Sequence, residues 1–281
     1  MTVRIVTDST CDLPEARRQA AGVVTVPLRL HFGDREFRDR VDLDDSQFLE
    51  RLSAAKAPPH TSQPPPGDFE AVYRALLQDP QDEVISIHIA AALSGTVGSA
   101  TVAAAAVDSK RIHVFDSRTV SLGTGFQVLA AVERAEQGES AQQILAELAT
   151  MPRRTGILCL LDTLRYLQLG GRIGKVQAMV GSALSIKPLI SLGEDGAVVP
   201  IGRVRSRKVG IRRLSELLVE HRPLARGGVL YVGDPADAEH LLRDARGTFP
   251  GMDILIQHAS PVIGSHCGPG TIAYCYLESK S

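Results

Sequence analysis

The sequence contains no tryptophan, and aromatic residues make up only 4% of the chain. It also lacks a charge imbalance, because 31 basic residues face 32 acidic residues and leave a formal net charge of −1. A balanced chain has no overall field that attracts nucleic acid, so we expect no nucleic-acid partner. Any charged partner must meet a local patch.

Long apolar runs are missing as well. No stretch approaches the roughly 18 apolar residues of a membrane-spanning helix. The opening MTVRIVTDST lacks the basic and apolar regions of a signal peptide. We therefore expect a cytoplasmic protein without stable membrane insertion.

Cysteine is scarce and scattered. The four thiols form no C-x-x-C pair and lie at Cys11, Cys159, Cys267 and Cys275. This spacing indicates neither a zinc site nor a disulfide framework. We expect free thiols, no metal and no cofactor.

The chain does contain regular apolar patterns, with 44% hydrophobic residues in a length of 281 that allows two domains. Short apolar runs alternate with helical patterns in the first half, as in VRIVTD and LPEARRQAAG, which favours βαβ units. In the second half, GEDG at 193–196 joins a predicted hairpin. We predict an α/β protein of two domains. Residues 1–153 form a Rossmann-like, mostly parallel sheet with flanking helices, and residues 154–281 form an α+β domain.

The segment HTSQPPPGD at 60–68 displays Thr61, Ser62 and Gln63 beside three prolines, which fix φ and lack N–H groups. A stiff, extended segment suits a ligand clamp, although such clusters usually mark an ordinary loop. Apolar residues at helical spacing follow. We expect Asp68 to be the N-cap of that helix.

Hydroxyl side chains follow two predicted strands where helices should begin. LSGT presents Ser94, Gly95 and Thr96, and TDST presents Ser9. Free N–H groups at helix starts favour an anion, and the carboxyl ends of parallel strands meet at one sheet edge. Each serine alone is equally a simple N-cap. No carboxylate pair or base accompanies them, so the pattern predicts binding of a carboxylate or phosphate and no catalytic residue.

Familiar nucleotide and nucleophile motifs are incomplete. GTGFQV at 123–128 has only two glycines of the dinucleotide fingerprint, and GGRIGKV has Val176 where a Walker A motif has Ser or Thr. GSHCG has His266 where a nucleophile elbow has serine. A dyad of Cys267 with the adjacent His266 is disfavoured, because neighbours on an extended chain point to opposite sides.

His266 lies in VIGSHCGPGT, whose glycines predict a loop. A lone histidine is more often structural, but a permissive backbone allows close approach to a ligand. There His266 would donate to an anion or move a proton.

A basic run, GRVRSRKVGIRR, places Arg205 among five other cations between Arg203 and Arg213. Such a run is usually a solvated face, yet cations at a helix start oppose the helix dipole. The functional interpretation is a docking patch for an acidic protein or for phosphates.

The chain resembles the DegV family from end to end. This family comprises bacterial fatty-acid-binding proteins that serve as the carrier subunit of fatty acid kinase. HTGPG is usual there, so Cys267 is a mild departure. The matching motifs are IVTDST near the start, TSQP at 61–64, LSGT at 93–96, FDSRTVSLGTG at 115–125, LDTLRYLQLGGRIG at 161–174, SIKPLI at 185–190, RVRSRK at 203–208 and HCGPGT at 266–271.

The resemblance implies a long-chain fatty acid held between the two domains, with its acyl chain in an apolar tunnel. By motif, the residues implied for the carboxylate are Thr61, Ser62, Ser94 and His266, and the hydroxyl turns add Ser9, Gly95 and Thr96 as further contacts. Arg205 matches a residue that works with the kinase. The chain would then be no enzyme. It would present the fatty acid to a separate ATP-dependent kinase, and the acyl phosphate would leave for phospholipid synthesis.

Two alternatives stay open. One is a stand-alone serine esterase or acyl transferase that uses Ser94 or Ser62 with His266. The other is a carrier for another apolar acid or an isoprenoid. Whichever function applies, we expect the protein to be a monomer.

Overall fold

The computed structural model describes residues 2–55, 57–179 and 186–280, so Ser185 of the SIKPLI motif lies outside the described residues, as do Met1 and Ser281 at the ends of the predicted domains. The strands are β1 (Val3–Asp8), β2 (Val24–Val26), β3 (Arg29–Phe32), β4 (Arg35–Arg38), β5 (His60–Ser62), β6 (Glu83–His88), β7 (Ile112–Asp116), β8 (Thr155–Leu160), β9 (Lys187–Leu192), β10 (Val198–Val204), β11 (Leu224–Tyr231), β12 (Ile254–His258) and β13 (Ile272–Glu278). The helices are α1 (Glu15–Ala20), α2 (Asp45–Ala54), α3 (Pro66–Leu76), α4 (Thr96–Val107), α5 (Leu122–Glu136), α6 (Ala141–Leu148), α7 (Arg165–Leu169), α8 (Arg207–Val219), α9 (Ala236–Thr248) and α10 (Pro261–Cys267).

A four-stranded parallel sheet forms in the first half, in the order β2-β1-β6-β7. Its strands are buried on both faces. Val6 belongs to a core cluster with Phe69 of α3 and Ala100 of α4, whereas Ile5 belongs to a cluster with Phe126 of α5. Continuous apolar strands are typical of parallel sheets covered by helices on both sides. The predicted parallel sheet with flanking helices is confirmed.

A small antiparallel sheet, in the order β4-β3-β5, carries the TSQP segment. Thr61 pairs with Leu30 in this sheet. The prolines then lead into α3, which begins at Pro66 with Pro65 at the N-cap position. The prediction that Asp68 is the N-cap is wrong, because proline at the first helical position starts the helix earlier. Asp68 instead accepts a hydrogen bond from the side chain of Arg29.

A six-stranded mixed sheet forms in the second half, in the order β10-β9-β8-β13-β11-β12. The predicted hairpin is confirmed, since β9 and β10 pair antiparallel and the Gly193 N–H donates to the Ala197 carbonyl at 2.8 Å. Helix α5 packs against both larger sheets, so one core cluster runs through both halves. The domain boundary near residue 153 stays a prediction.

The longest helix, α5, has 15 residues. In the ranges that the structure describes, no helix is both long enough and apolar enough to cross a membrane.

Candidate functional site

An apolar cavity lies where the two halves of the chain meet. The empty space between the protein atoms there is about 790 Å³, which includes open solvent at the mouth of the cavity. Its apolar lining consists of Leu28, Ile89, Leu93, Val120, Ile157, Cys159, Leu167, Ile190, Leu192, Val198, Val262, Ile263 and Cys267. Its polar lining consists of Thr61, Ser62, Gln63, Ser94, Arg172, Ser191 and His266.

Two residues singled out in the sequence meet in this cavity. The Thr61 Oγ1 atom lies 2.8 Å from His266 Nε2, although the residues are 205 positions apart. Strand β5 fixes Thr61 through its pairing with β3, and α10 carries His266. The contact therefore joins the small sheet of the first half to a helix of the second half.

Residues 262–267 of VIGSHCGPGT are helical, so the prediction of a loop is wrong for them, whereas residues 268–271 do form a loop after α10. Pro261 begins α10 at the first helical position, and Gly268, with a φ of 80°, follows its end. Gly264 allows close packing, because a Cβ atom there would lie 2.7 Å from the Phe48 ring. His266 thus projects from the last turn of a short helix.

The imidazole of His266 is held in a tight environment. Its Nδ1 atom is buried and has no hydrogen-bond partner among the residues that the structure describes, and a Cβ atom on Gly170 would lie 2.2 Å from it. Burial, and to a smaller extent the positive charge of Arg172, lowers the pKa of His266 to about 4. At neutral pH His266 is therefore uncharged and offers a single N–H donor.

Arg172 provides a positive charge at the cavity wall. Its Nε donates to the Leu93 carbonyl at 3.0 Å and its Nη1 to the Gly170 carbonyl at 2.8 Å. Among the described residues, no Asp or Glu forms an ion pair with it. Arg172 was not predicted from the sequence, because GGRIG was considered only as part of an incomplete Walker A motif and of a family motif. The overlooked signal was a cation among these glycines.

Ser62 also lines the cavity, but its hydroxyl has another partner. Its Oγ atom lies 3.1 Å from His31 Nε2. Side chains of adjacent residues in a strand point to opposite faces, so the hydroxyls of Thr61 and Ser62 do not converge on the same ligand atom. The same Nε2 atom lies 3.8 Å from Glu36. A catalytic triad needs the acid on the other ring nitrogen, so this arrangement is not one.

The LSGT turn contributes Ser94 to the cavity. The Ser94 Oγ atom lies 2.8 Å from Thr96 Oγ1 and accepts the Thr96 N–H, the first of α4, at 3.3 Å. The N-cap position itself belongs to Gly95, so the interpretation of Ser94 as a simple N-cap is wrong. Thr96 is fully buried and does not line the cavity. A Cβ atom on Gly95 would lie 3.0 Å from the Gln63 side chain. Gly95 therefore leaves room for Gln63 at the cavity wall.

Ser9 lies outside the cavity lining. Its hydroxyl donates to Asp39 Oδ2 at 2.6 Å and accepts the Leu28 N–H at 3.1 Å. Of the further contacts predicted from the hydroxyl turns, Ser9, Gly95 and Thr96 all lie behind the cavity wall. Only Ser94 reaches it from these turns.

A buried polar chain that the sequence analysis missed has the connectivity of a catalytic triad. Ser86 Oγ lies 2.7 Å from His88 Nε2, and His88 Nδ1 lies 3.0 Å from Asp8 Oδ2. Tyr73 donates to Ser86 at 2.8 Å. All four side chains are fully buried and none lines the cavity, so no substrate reaches this serine. These hydrogen bonds are therefore structural, and they hold the carboxyl ends of β1 and β6 together.

The basic run divides into two groups. Arg203, Arg205 and Lys208 are exposed, and none forms an ion pair within the described parts of the chain. Arg207 pairs with Asp162 at 3.3 Å and donates to the Gly270 carbonyl. Arg207 therefore ties the start of α8 to the loop that follows His266.

The thiols and the acidic groups show no metal or nucleophile chemistry. Burial raises the pKa of Cys267 to about 12, so this thiol stays protonated beside His266. Within residues 2–55, 57–179 and 186–280, no group of three or more His, Cys, Asp or Glu is arranged to hold a metal ion.

Comparison with known proteins gives consistent matches over the whole chain. A family model described as "Uncharacterised protein, DegV family" matches residues 2–279. Protein DegV of Bacillus subtilis is 32% identical over 280 residues, which cover 98% of this chain and 99% of the relative.

Solved structures share the fold. A DegV family protein from Thermus thermophilus, described for fatty acid binding, aligns with a TM-score of 0.92 and 36% identity over 99% of this chain and 100% of that chain. DegV from Bacillus subtilis, described as a fatty acid binding protein, aligns with a TM-score of 0.90 and 33% identity over 99% of each chain.

Proposed function

The chain belongs to the DegV family, and we propose that it is a cytoplasmic carrier that binds a long-chain fatty acid in the cavity and presents the carboxylate to a separate ATP-dependent kinase. The observation that carries the proposal is a cavity with an apolar wall and a cation, Arg172, that has no acidic partner among the described residues. The fatty acid binding described for the similar proteins from Thermus thermophilus and Bacillus subtilis supports the same class of ligand.

The apolar wall suits an acyl chain. Aliphatic side chains and two protonated thiols form most of the lining. Each methylene that leaves water for such a wall contributes about 0.8 kcal/mol. Burial of the chain therefore supplies most of the affinity, and the few polar groups select and orient the head group.

The polar lining suits a carboxylate. The guanidinium of Arg172 compensates the negative charge, and the hydroxyls of Thr61 and Ser94 donate to its oxygens. If neutral His266 donates its Nε2–H to Thr61, the Thr61 proton is free to point at the carboxylate. Hydrogen bonds to an ionised acceptor are about twice as strong as neutral ones. His266 then acts by orienting Thr61.

The exposed cations suit a docking site for the kinase. Arg205 is exposed just before α8, and Arg207 links this segment to Gly270 in the loop after His266. A kinase bound at Arg205 would therefore lie near the polar lining of the cavity. The kinase supplies the nucleotide and Mg²⁺, and the carrier supplies positioning and shielding from water.

The geometry disfavours the alternative of a stand-alone serine esterase. Ser94 is hydrogen-bonded to Thr96 and not to a histidine, and His266 is hydrogen-bonded to Thr61. A serine nucleophile needs a base within hydrogen-bond reach. Hydrolysis of acyl esters by the purified chain, lost in Ser94→Ala, would restore this alternative.

The test of the proposal is mass spectrometry of lipid extracted from the freshly purified protein. We expect about one long-chain fatty acid per chain. Leu192→Trp, which fills the cavity, should abolish co-purification, whereas Val219→Trp, on the exposed end of α8, should not. An empty cavity after expression in lipid-replete cells would contradict the proposal. An isoprenoid in the extract would show that the ligand is not a fatty acid.

A further inference from the structure

A buried acidic cluster lies between the first half of the chain and helix α10. It consists of Asp12, Asp39, Asp45 and Arg40, and none of these residues lines the cavity. Asp12 and Asp39 are 2% and 0% exposed. Arg40 Nη2 lies 3.4 Å from Asp12 and 3.7 Å from Asp45, so this cation pairs with two of the three carboxyl groups. A cluster this buried needs hydrogen-bond donors beyond Arg40.

Backbone groups at the start of α10 supply those donors. Asp12 Oδ1 accepts the Ser260 N–H at 2.9 Å, and Asp39 Oδ1 accepts the Val262 N–H at 3.4 Å. Arg40 Nη2 donates to the His258 carbonyl at 2.6 Å. The cluster therefore holds every second residue from 258 to 262. The first N–H groups of a helix have no partner inside it, so these carboxyl oxygens also satisfy the helix start.

Helix α10 depends on such outside contacts for its position. It has only seven residues, and a helix this short is not stable by itself. Val262, Ile263, His266 and Cys267, all of α10, line the cavity. Because His266 lies only five residues after the start of α10 at Pro261, a shift at that start moves His266 relative to Thr61.

Asp12 also connects a second segment of the cavity wall. It accepts a hydrogen bond from the Ser121 hydroxyl, and Ser121 follows Val120, which lines the cavity. Asp12 and Ser121 both have positive φ angles, 49° and 59°. Non-glycine residues hold this conformation only where the surroundings enforce it, and such residues concentrate at functional sites.

From these contacts we propose that Asp12 and Asp39 are positioning residues of the ligand site, which set the place of His266 by holding the start of α10. The inference rests on the proposed function because it takes from it that His266 orients Thr61 towards the fatty acid carboxylate. Neither carboxylate touches the ligand.

The test compares Asp12→Gly and Asp12→Asn with a matched control, Asp82→Ala. Glycine removes the carboxylate and accepts the positive φ, while asparagine keeps an oxygen for the Ser260 N–H. Asp82 is also buried and accepts a backbone N–H, from Thr2 at 2.9 Å, but it lies outside the cavity wall. If Asp12→Gly does not fold, Asp39→Ala takes its place with the same expected pattern.

Two measurements are made at a temperature at which circular dichroism shows every variant folded. The first is binding of cis-parinaric acid, a fluorescent fatty acid, in the wild-type and His266→Ala backgrounds. We expect Asp12→Gly to weaken binding about 10-fold in the wild type and less than about 2-fold beside His266→Ala, because residues that act through one another are not additive. Asp12→Asn should lose less, and Asp82→Ala should leave binding unchanged.

The second measurement is NMR of the His266 ring in the ligand-free protein. We expect its resonances to move in Asp12→Gly and to stay in Asp82→Ala. Equal losses of binding in both backgrounds, an equal loss in Asp82→Ala, or unmoved His266 resonances would overturn the positioning role. Absence of binding to the wild type would contradict the proposed function instead, while the His266 resonances would still decide the positioning role.

Discussion

The hydroxyl of Thr61 offers the sharpest test of the ligand site. Its Oγ1 atom lies 2.8 Å from His266 Nε2 at the cavity wall. Thr61→Val keeps the shape and the β-branching of the side chain, so β5 and the cavity volume should be preserved. The substitution removes one hydrogen bond to the carboxylate and leaves His266 Nε2 without its partner.

The expected loss follows from the charge of the ligand. A hydrogen bond to a charged group contributes about 1.5–3 kcal/mol, which corresponds to about 10- to 150-fold in affinity because 1.4 kcal/mol is tenfold. The free energy of unfolding should also fall by about 1–3 kcal/mol, because neither ring nitrogen of His266 then has a hydrogen-bond partner in the described parts of the chain.

The assay is equilibrium binding of cis-parinaric acid, with Ser62→Ala as the matched control. Ser62 is the next residue on β5, and its hydroxyl is hydrogen-bonded to His31. We expect Ser62→Ala to lose much less affinity than Thr61→Val. Wild-type affinity in a folded Thr61→Val protein, or a larger loss in Ser62→Ala, would refute the reasoning about the head group.

Two further predictions concern the kinase and pH. Arg205→Ala should leave fatty acid binding intact and abolish phosphorylation of the bound acid by the cognate kinase. Arg212 pairs with Glu216 at 3.5 Å, so the control variant Arg212→Ala should retain phosphorylation. Loss of fatty acid binding in Arg205→Ala would contradict the docking role. Burial raises the pKa of Asp39 to about 7, above an unfolded value of about 3.9, so folding takes up a proton and stability falls as pH rises from about 4 to 7. In urea unfolding, the free energy of unfolding of Asp39→Asn relative to the wild type should rise by about 2 kcal/mol between pH 5 and pH 7, because one proton is worth about 1.4 kcal/mol per pH unit. If the free energy of unfolding depends on pH in the same way in both proteins, Asp39 is not neutral in the folded state.

Local patterns in the sequence were sufficient for much of the fold. Apolar runs at strand and helix spacing predicted the parallel sheet of the first half and the hairpin of β9 and β10. The prediction failed where a local rule met a tertiary contact. The glycines of VIGSHCGPGT indicated a loop, but Gly264 is needed for packing of α10 against Phe48.

Only part of the candidate site was predicted. A sequence motif shows that a hydroxyl or a histidine is present, but it does not show which residue that side chain is hydrogen-bonded to in the folded protein. Thr61, Ser94 and His266 do line one cavity. Ser9, in a similar turn, is turned towards Asp39 instead. For Arg172 the sequence offered only a weak signal, a cation among glycines, since its importance lies in the absence of an acidic partner among the described residues.

The sequence by itself determined the class of fold, the family resemblance and the residue types available for a carboxylate. Only the tertiary structure decided which of them meet. The contact of Thr61 with His266 spans 205 residues, and the contacts of Asp12 with Ser260 and of Asp39 with Val262 span 248 and 223. Such contacts depend on how the first half of the chain packs against α10, and periodicity within one segment carries no information about that packing.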